Sequence, residues 1–290
     1  MKYEGDIYRP PSEAYSLIVQ VTVGCTHNKC TFCPMYKAKK FRMKPLEEVI
    51  EDLSEARRYN RRVERIFFAD GDALCMKTDR FLRLLDAAGE IFPECARVGV
   101  YSRAGHILNK SSEELSALRD KGLGIVYIGA ESGSGEVLRR VDKGESAEDI
   151  VKAVRKAESA GIMASVTFIS GLGGRELMQE HAVKTGEMIS GMGASYVGLL
   201  TLMLDPAAPI YKDVRSGAFE QLTPLEVIDE LETIIEHTDC VKETVFRSNH
   251  ASNWLILKGT LPQDKGRMLE QIRFAKTESG TLRAEGQRRL

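Results

Sequence analysis

The sequence has little of what would assign a protein by composition alone. Net charge is almost nil: 41 Lys and Arg stand against 42 Asp and Glu, a formal charge of −1 over 290 residues. The whole-protein field that would draw the chain to a polyanion is therefore missing, which argues against a general nucleic-acid coat or a membrane-surface protein. Long apolar runs are missing too. A stretch such as VGLLTLML at 197–204 falls far short of the ~20 residues that a bilayer span requires. The opening MKYEGDIYRPPSEAY holds no apolar segment of signal-peptide type. There is no Ser/Gly linker, low-complexity tract or composition break. The six cysteines are no disulfide framework, and in a reducing compartment their thiols stay available for metal or redox chemistry. The expectation is a soluble cytoplasmic protein with no membrane and no nucleic acid as partner.

What the sequence does have is alternation. Short β-branched runs recur at 16–23, 65–69, 97–101, 124–128, 165–169, 196–202 and 241–246, and amphipathic helical patterns fill the gaps between them. Ser, Thr or Asp stands at several helix starts, and Gly122 and Gly161 stand at helix stops. Strand–helix–strand repetition implies right-handed crossovers and a parallel sheet buried on both faces. The expected fold is α/β, a partial (β/α)6 TIM-like barrel with a seventh strand and a helical C-terminal tail from about Asp264. One domain over 1–290 is expected, with a core at about 16–204, a substrate-side extension at about 205–290 and a Pro10-Pro11 arm in front. The Arg-rich LRAEGQRRL end reads as a solvated, frayed terminus. In such sheets the chemistry gathers at the C-terminal ends of the strands.

At that rim, directly after the first expected strand, comes CTHNKCTFC, which places Cys25, Cys30 and Cys33 in a C-x4-C-x2-C spacing. Three thiolates on one loop are soft ligands for zinc or for an iron–sulfur cluster. Structural zinc closes with four protein ligands, and no second CxxC or HxxxH pair is present, which leaves His27 or His250 as formal fourth ligands. A 4Fe–4S cluster on three cysteines would instead keep one iron open to a small molecule. Phe32 precedes the last cysteine and Pro34-Met35-Tyr36 follow it. Further along, Asp70-Gly71-Asp72 follows the second strand, GAESGSGEVLRRVDKG (129–144) the fourth and TFISGLGG (167–174) the fifth.

Taken in this order, these stretches resemble the radical S-adenosylmethionine (SAM) superfamily. Its usual signature is C-x3-C-x2-C with an aromatic residue before the last cysteine. The extra residue here is an insertion that a flexible loop absorbs at small cost. The resemblance covers about 16–204. It implies one 4Fe–4S cluster on Cys25, Cys30 and Cys33, with Phe32 beside them, and SAM on the open iron. It places Asp70, Gly71 and Asp72 at the amino group of SAM, and Glu131 and Ser132 at its ribose and carboxylate. Lys143 stands where an Arg commonly pairs with the carboxylate, and Thr167 where a ribose-binding Asp is often found. Reductive cleavage of SAM to methionine and a 5'-deoxyadenosyl radical is implied, followed by hydrogen abstraction from an unactivated carbon. An electron donor such as flavodoxin or ferredoxin comes with that chemistry, and Thr26, His27 and Asn28 could tune the cluster from within the loop. A dry, enclosed site is its physical requirement.

The remaining rim residues are candidates for a small polar substrate. They are Tyr101 and Arg103 after the third strand, Asp205 after the sixth, and RSNHASN after the seventh, which brings Arg247, Asn249 and His250 together. An Asn/Ser-rich loop that satisfies its own backbone is the plain alternative for that last stretch. Cys75 follows Asp72 closely and reads as a core cysteine or a rim residue; Cys95 and Cys240 precede strands, on the opposite rim, so no second cluster is expected. Two rival functions remain: a zinc- or iron–sulfur-binding electron-transfer protein without radical chemistry, and an activase for a glycyl-radical enzyme. A methylthiotransferase would ordinarily bring an RNA-binding domain and further cluster cysteines.

Overall fold

The computed structural model describes residues 1–289. The described residues form ten strands: β1 (Leu17–Gln20), β2 (Thr22–Val23), β3 (Arg42–Met43), β4 (Arg65–Ala69), β5 (Arg97–Tyr101), β6 (Leu123–Glu131), β7 (Met163–Ser170), β8 (Tyr196–Thr201), β9 (Thr244–Ser248) and β10 (Leu257–Leu261). Ten α-helices accompany them: α1 (Leu46–Tyr59), α2 (Thr78–Ile91), α3 (Ala104–Leu108), α4 (Ser112–Asp120), α5 (Gly135–Arg140), α6 (Ala147–Ser159), α7 (Gly174–Met192), α8 (Ile210–Ser216), α9 (Pro224–Glu236) and α10 (Lys265–Thr277). The fold is α/β, with a mostly parallel central sheet of eight strands, the architecture of a partial TIM-like barrel. The chain forms two compact units, residues 1–28, 35–128 and 156–164 in the first, and 29–34, 129–155 and 165–290 in the second.

In the first unit β1, β4, β5 and β6 lie side by side and parallel, with Leu17 opposite Ile66, Arg65 opposite Arg97, and Gly99 opposite Ile125. Their β-branched and aromatic residues are buried on both faces, as crossover helices demand. Phe67 packs edge-on to Tyr101 and Tyr127, with ring centroids 5.1 and 5.8 Å away. The Pro10-Pro11 arm is part of this core rather than an appendage. Its Glu13 is fully buried and accepts hydrogen bonds from Tyr127 Oη and Ser16 Oγ, and from Arg97 Nη2 at 2.6 Å.

In the second unit β7 and β8 run parallel over six residue pairs, β9 joins β8 in parallel, and β10 folds back antiparallel on β9. β10, like the two-residue β3, lies outside the expected runs: LKGTL is short, and only its alternation of buried Leu257, Gly259 and Leu261 marks it. Helix α9 opens on a capping box of Thr223 and Glu226 with Pro224 at its first position. Gly186 lets α7 approach α9, since a Cβ there would lie 2.6 Å from the Ile234 carbonyl oxygen. The expected helical tail is α10. The chain beyond it is docked and not frayed. Arg283 N donates to the Trp254 carbonyl (2.8 Å), Arg288 Nε donates to the Ser252 carbonyl (2.7 Å), and the Arg288 guanidinium lies 4.0 Å from the Trp254 ring centroid. The expectation of a loose terminus failed because each Arg offers several donors that carbonyls of the 250–254 loop can accept. Leu290 lies outside the described residues.

Candidate active site at the strand ends

The first unit holds the start of the cysteine loop. Asp70, at the end of β4, is fully buried. Its Oδ2 accepts from Gln20 Nε2 (3.0 Å), Gly24 N (3.1 Å) and Lys39 Nζ (2.9 Å). One carboxylate oxygen therefore holds both the residue before Cys25 and the far end of the loop. Gly24 turns the chain with φ 77°, a conformation that favours glycine. Gly71 N donates back to the Gly24 carbonyl (3.2 Å). Glycine is needed at 71 as well, because a Cβ there would come within 2.7 Å of the Tyr36 ring and 3.2 Å of Cys25 Cβ.

Asp72 is also fully buried, and both its oxygens are engaged. Oδ2 accepts from Thr26 Oγ1 and lies 2.8 Å from His106 Nδ1, while Oδ1 accepts from Arg103 N at 3.3 Å. Thr26 thus pins the loop to Asp72, which also holds Arg103 after β5. Asn28 sits at φ 47° and donates through Nδ2 to the Tyr36 carbonyl at 2.7 Å. These two loop residues act as structural pins. His106 was not among the sequence candidates. Its only sequence signal is its place three residues after Arg103. Tyr101 belongs to the aromatic core with Phe67 and Tyr127, and burial holds its hydroxyl pKa well above the ordinary tyrosine value.

Cys30, Phe32 and Cys33 belong to the second unit. Cys33 N donates to the Cys30 carbonyl (3.4 Å), Thr31 N donates to the Val141 carbonyl (2.9 Å), and Ile210 N donates to the Thr31 carbonyl (2.9 Å). Phe32 packs on the cluster of Val137, Val141, Leu172, Leu202 and Ile210. This apolar anchor explains the aromatic residue before the last cysteine: it fixes the segment by burial, where the flanking polar residues could not.

Lys143 Nζ lies 2.9 Å from Glu131 Oε1, and both side chains are 11% exposed. Gly129 makes room for this pair, since a Cβ there would sit 2.1 Å from Glu131 Oε1. Glu131 is held at φ 67°, a left-handed conformation that a non-glycine residue adopts at a cost of about 1–3 kcal/mol. Burial alone would push the Lys143 ammonium pKa down; the negative charges of Glu131, Cys30 and Glu145 outweigh it and hold the value above the ordinary lysine range. Thr167 lies on the half-exposed face of β7 with Ser165 and Ile169. Ser132 is fully buried; its Oγ accepts from Ser134 N (2.9 Å) and lies 2.7 Å from His181 Nδ1.

The RSNHASN stretch is divided by the structure. Arg247 is exposed on β9 and donates to the Phe246 and Gly259 carbonyls, at 2.7 and 3.1 Å. Ser252 and Asn253 are buried, and Asn253 Nδ2 donates to the Leu199 carbonyl while its Oδ1 accepts from Thr201 Oγ1. His250 is half-buried, with Nδ1 2.9 Å from Ser252 Oγ, and burial lowers its pKa below the usual histidine value. Asn249 is exposed. Asp205 caps its own turn, accepting from Ala207 N at 2.7 Å. Beside this loop lies a cavity of about 230 Å³ lined by Ser170, Gly171, Thr201, Leu202, Trp254 and Arg288.

Known proteins bear on this arrangement. The family model described as the Radical SAM superfamily matches residues 19–185, more than half of the chain, and the chain belongs to that superfamily. A provisionally named methylthiotransferase of Methanocaldococcus jannaschii is 26% identical over 170 residues, covering 57% of this chain and 37% of that protein. The tRNA-2-methylthio-N(6)-dimethylallyladenosine synthase of Chlorobium phaeobacteroides is 24% identical over 218 residues, covering 72% of this chain and 44% of its own length. The chain therefore spans less than half the length of these relatives. The crystal structure of methylornithine synthase superposes with a TM-score of 0.54 at 17% identity, covering 78% of this chain and 63% of that one, a likeness of fold.

Superfamily members are enzymes that work with a 4Fe–4S cluster and SAM. The residues here fit such a group. Three thiols within nine residues supply soft donors, and Gly71 leaves open the space beside Cys25 that a Cβ would fill. Among the described residues no group of three metal-ligating side chains stands gathered.

Proposed function

We propose that Cys25, Cys30 and Cys33 hold one 4Fe–4S cluster, and that the chain uses it on SAM to take hydrogen from a small polar substrate. When bound, the pair supplies a one-electron cleavage of the sulfonium and a carbon-centred oxidant. This chain's residues do the rest. Asp70 fixes the loop at both ends, Phe32 anchors Cys30 and Cys33 in apolar surroundings, and the Lys143 ammonium meets the carboxylate of SAM within the field of Glu131. Asp72, through the backbone of 70–72, serves the amino group. Thr167 and the 131–132 segment serve the ribose. Arg103, Asn249 and His250 face the substrate. The observation that carries this reading is the Lys143–Glu131 pair. It puts a buried cation in the field of Cys30, a place where a ligand carboxylate finds its counter-charge.

An external donor such as flavodoxin or ferredoxin supplies the electron. A reducing, cytoplasmic setting suits six thiols and an oxygen-sensitive centre. No helix among the described residues is long and apolar enough to cross a membrane. The test is anaerobic reconstitution with iron and sulfide. About four irons per chain are expected, together with release of 5'-deoxyadenosine and methionine when the reduced protein meets SAM. One tightly bound zinc and no chromophore would favour a binding protein without radical chemistry.

A further inference from the structure

Two buried ionisable residues of the second unit have no place in the reading above. His181, on α7, is fully buried, and Glu230, on α9, is 1% exposed. Ser132 Oγ already accepts from Ser134 N, so its own hydrogen is free to go to His181 Nδ1 at 2.7 Å. That assignment puts the ring hydrogen on Nε2, which lies 3.7 Å from Glu230 Oε1, a contact between two buried groups that is too long for a hydrogen bond. Glu230 Oε1 in turn accepts from Ser170 Oγ at 2.5 Å and Gly171 N at 2.7 Å. A line of polar groups thus runs from the loop after β6 to the turn after β7. Helix α7 strengthens its first end: Thr185 Oγ1 accepts from Gly133 N at 3.0 Å and Glu180 accepts from Ser134 Oγ at 2.6 Å. Gly133 is pressed so close to α7 that a Cβ would lie 2.1 Å from the Lys184 carbonyl oxygen.

Burying a carboxylate and an imidazole costs desolvation, and that cost is offset only where the surrounding donors and acceptors are well placed. We infer that the His181–Glu230 pair is a positioning device for SAM: it ties the 132–134 loop to the Ser170–Gly171 turn, so SAM affinity depends on a residue of α9 outside the family-matched segment. The inference rests on the SAM reading proposed above. Neither residue touches SAM; each acts through backbone and hydroxyl groups that it holds.

The test uses the full chain, reconstituted anaerobically, with iron content, urea unfolding and SAM titration measured together. SAM binding is read from the spectrum of the reduced cluster. His181→Gln can keep a donor toward Glu230 but loses the Ser132 bond; His181→Asn can keep the Ser132 bond but loses Glu230. Both should retain full iron; His181→Gln should weaken SAM binding about five- to tenfold, the scale of one buried hydrogen bond, and His181→Asn, which loses only the longer contact, should weaken it by less. Glu230→Gln, whose oxygen still accepts from Ser170 and Gly171, should restore most of the affinity that Glu230→Ala loses. A purely structural role would lower unfolding stability and leave the dissociation constant of the iron-replete variants unchanged. That result overturns the inference. If His181→Gln fails to fold, Ser170→Ala, which deletes one bond of the same line, carries the same expectation. If the loaded wild-type chain itself binds no SAM, the cofactor reading falls and the inference with it; if wild type binds and the folded variants bind equally, the inference alone falls.

Discussion

Deleting the Lys143 ammonium should cost far more than one surface ion pair would. Lys143 Nζ and Glu131 Oε1 are 2.9 Å apart and both side chains are 11% exposed, so Lys143→Met leaves a buried carboxylate without its counter-charge. Exposed pairs contribute about 0–1 kcal/mol, whereas removing one partner of a buried pair costs about 3–5 kcal/mol. For a chain of this size that is a drop in melting temperature of about 6–10 °C, taking about 2 °C per kcal/mol. The double variant Lys143→Met with Glu131→Gln carries no stranded charge and should recover most of the loss. Melting followed by circular dichroism on apo protein measures both. A single variant that melts within about 1 °C of wild type, or a double variant no better than the single, would refute the argument from burial. In the double variant, reconstituted with iron, SAM binding should weaken roughly tenfold while iron content stays full, as expected if the ammonium also meets a ligand carboxylate.

Cys30→Ala should lose both stable iron loading and SAM cleavage, while Cys95→Ala and Cys240→Ala keep both; full iron in Cys30→Ala, measured by metal analysis, would sink the ligand assignment. Cys75 is pushed up to about 12 by burial and by the charge of Asp72, so little thiolate is present near pH 8. Its alkylation by iodoacetamide, followed by peptide mass mapping, should run roughly a thousandfold slower than that of an ordinary thiol of pKa ~8.5. Asn253→Ala breaks bonds to Leu199 and Thr201 in a buried site and should destabilise the chain by about 1–3 kcal/mol. Asn249→Ala, at an exposed position, should leave unfolding unchanged and lower only substrate-coupled turnover. Equal effects of the two on stability would mean the loop is structural throughout.

The parts of the fold that sequence pattern could show are those with local causes. β-branched runs made β4, β5, β7 and β8 visible within a residue or two, and the cysteine loop was visible because its ligands lie within nine residues. β10 escaped because it folds back antiparallel on β9 with no helix between them, outside the strand–helix alternation that marks the others. Expected as one strand, 16–23 is broken at Val21, where the chain leaves β1 to pair briefly as β2 with β3. Asp72 was legible as a rim residue, but its partners Thr26 and His106 were not, since they lie 46 residues before it and on a different element. The same holds for Ser132 and His181, 49 residues apart, and for Ser170 and Glu230, 60 apart. Such pairs are made by tertiary packing and leave no short-range trace. The tail was misjudged for a related reason: its docking depends on carbonyls of a loop some thirty residues upstream.

These long-range bonds share one design. Asp70 and Asp72 after β4, Glu131 at the end of β6, and Glu230 reaching the end of β7 are each buried and each hold donors from a segment distant in sequence. Burying a carboxylate is costly unless every donor is well placed, so each of these acids makes the position of its strand end a sharp energetic minimum. A loop fixed by burial of apolar groups alone could slide by an ångström at little cost. A loop fixed by a buried acid cannot, because sliding strands the charge. The proposed reaction, in which a reactive carbon centre must reach one C–H bond and no other, would need such stiffness at each strand end. The cost is met elsewhere in the chain, in the Phe67–Tyr101–Tyr127 packing of the first unit and in the apolar cluster around Phe32 in the second.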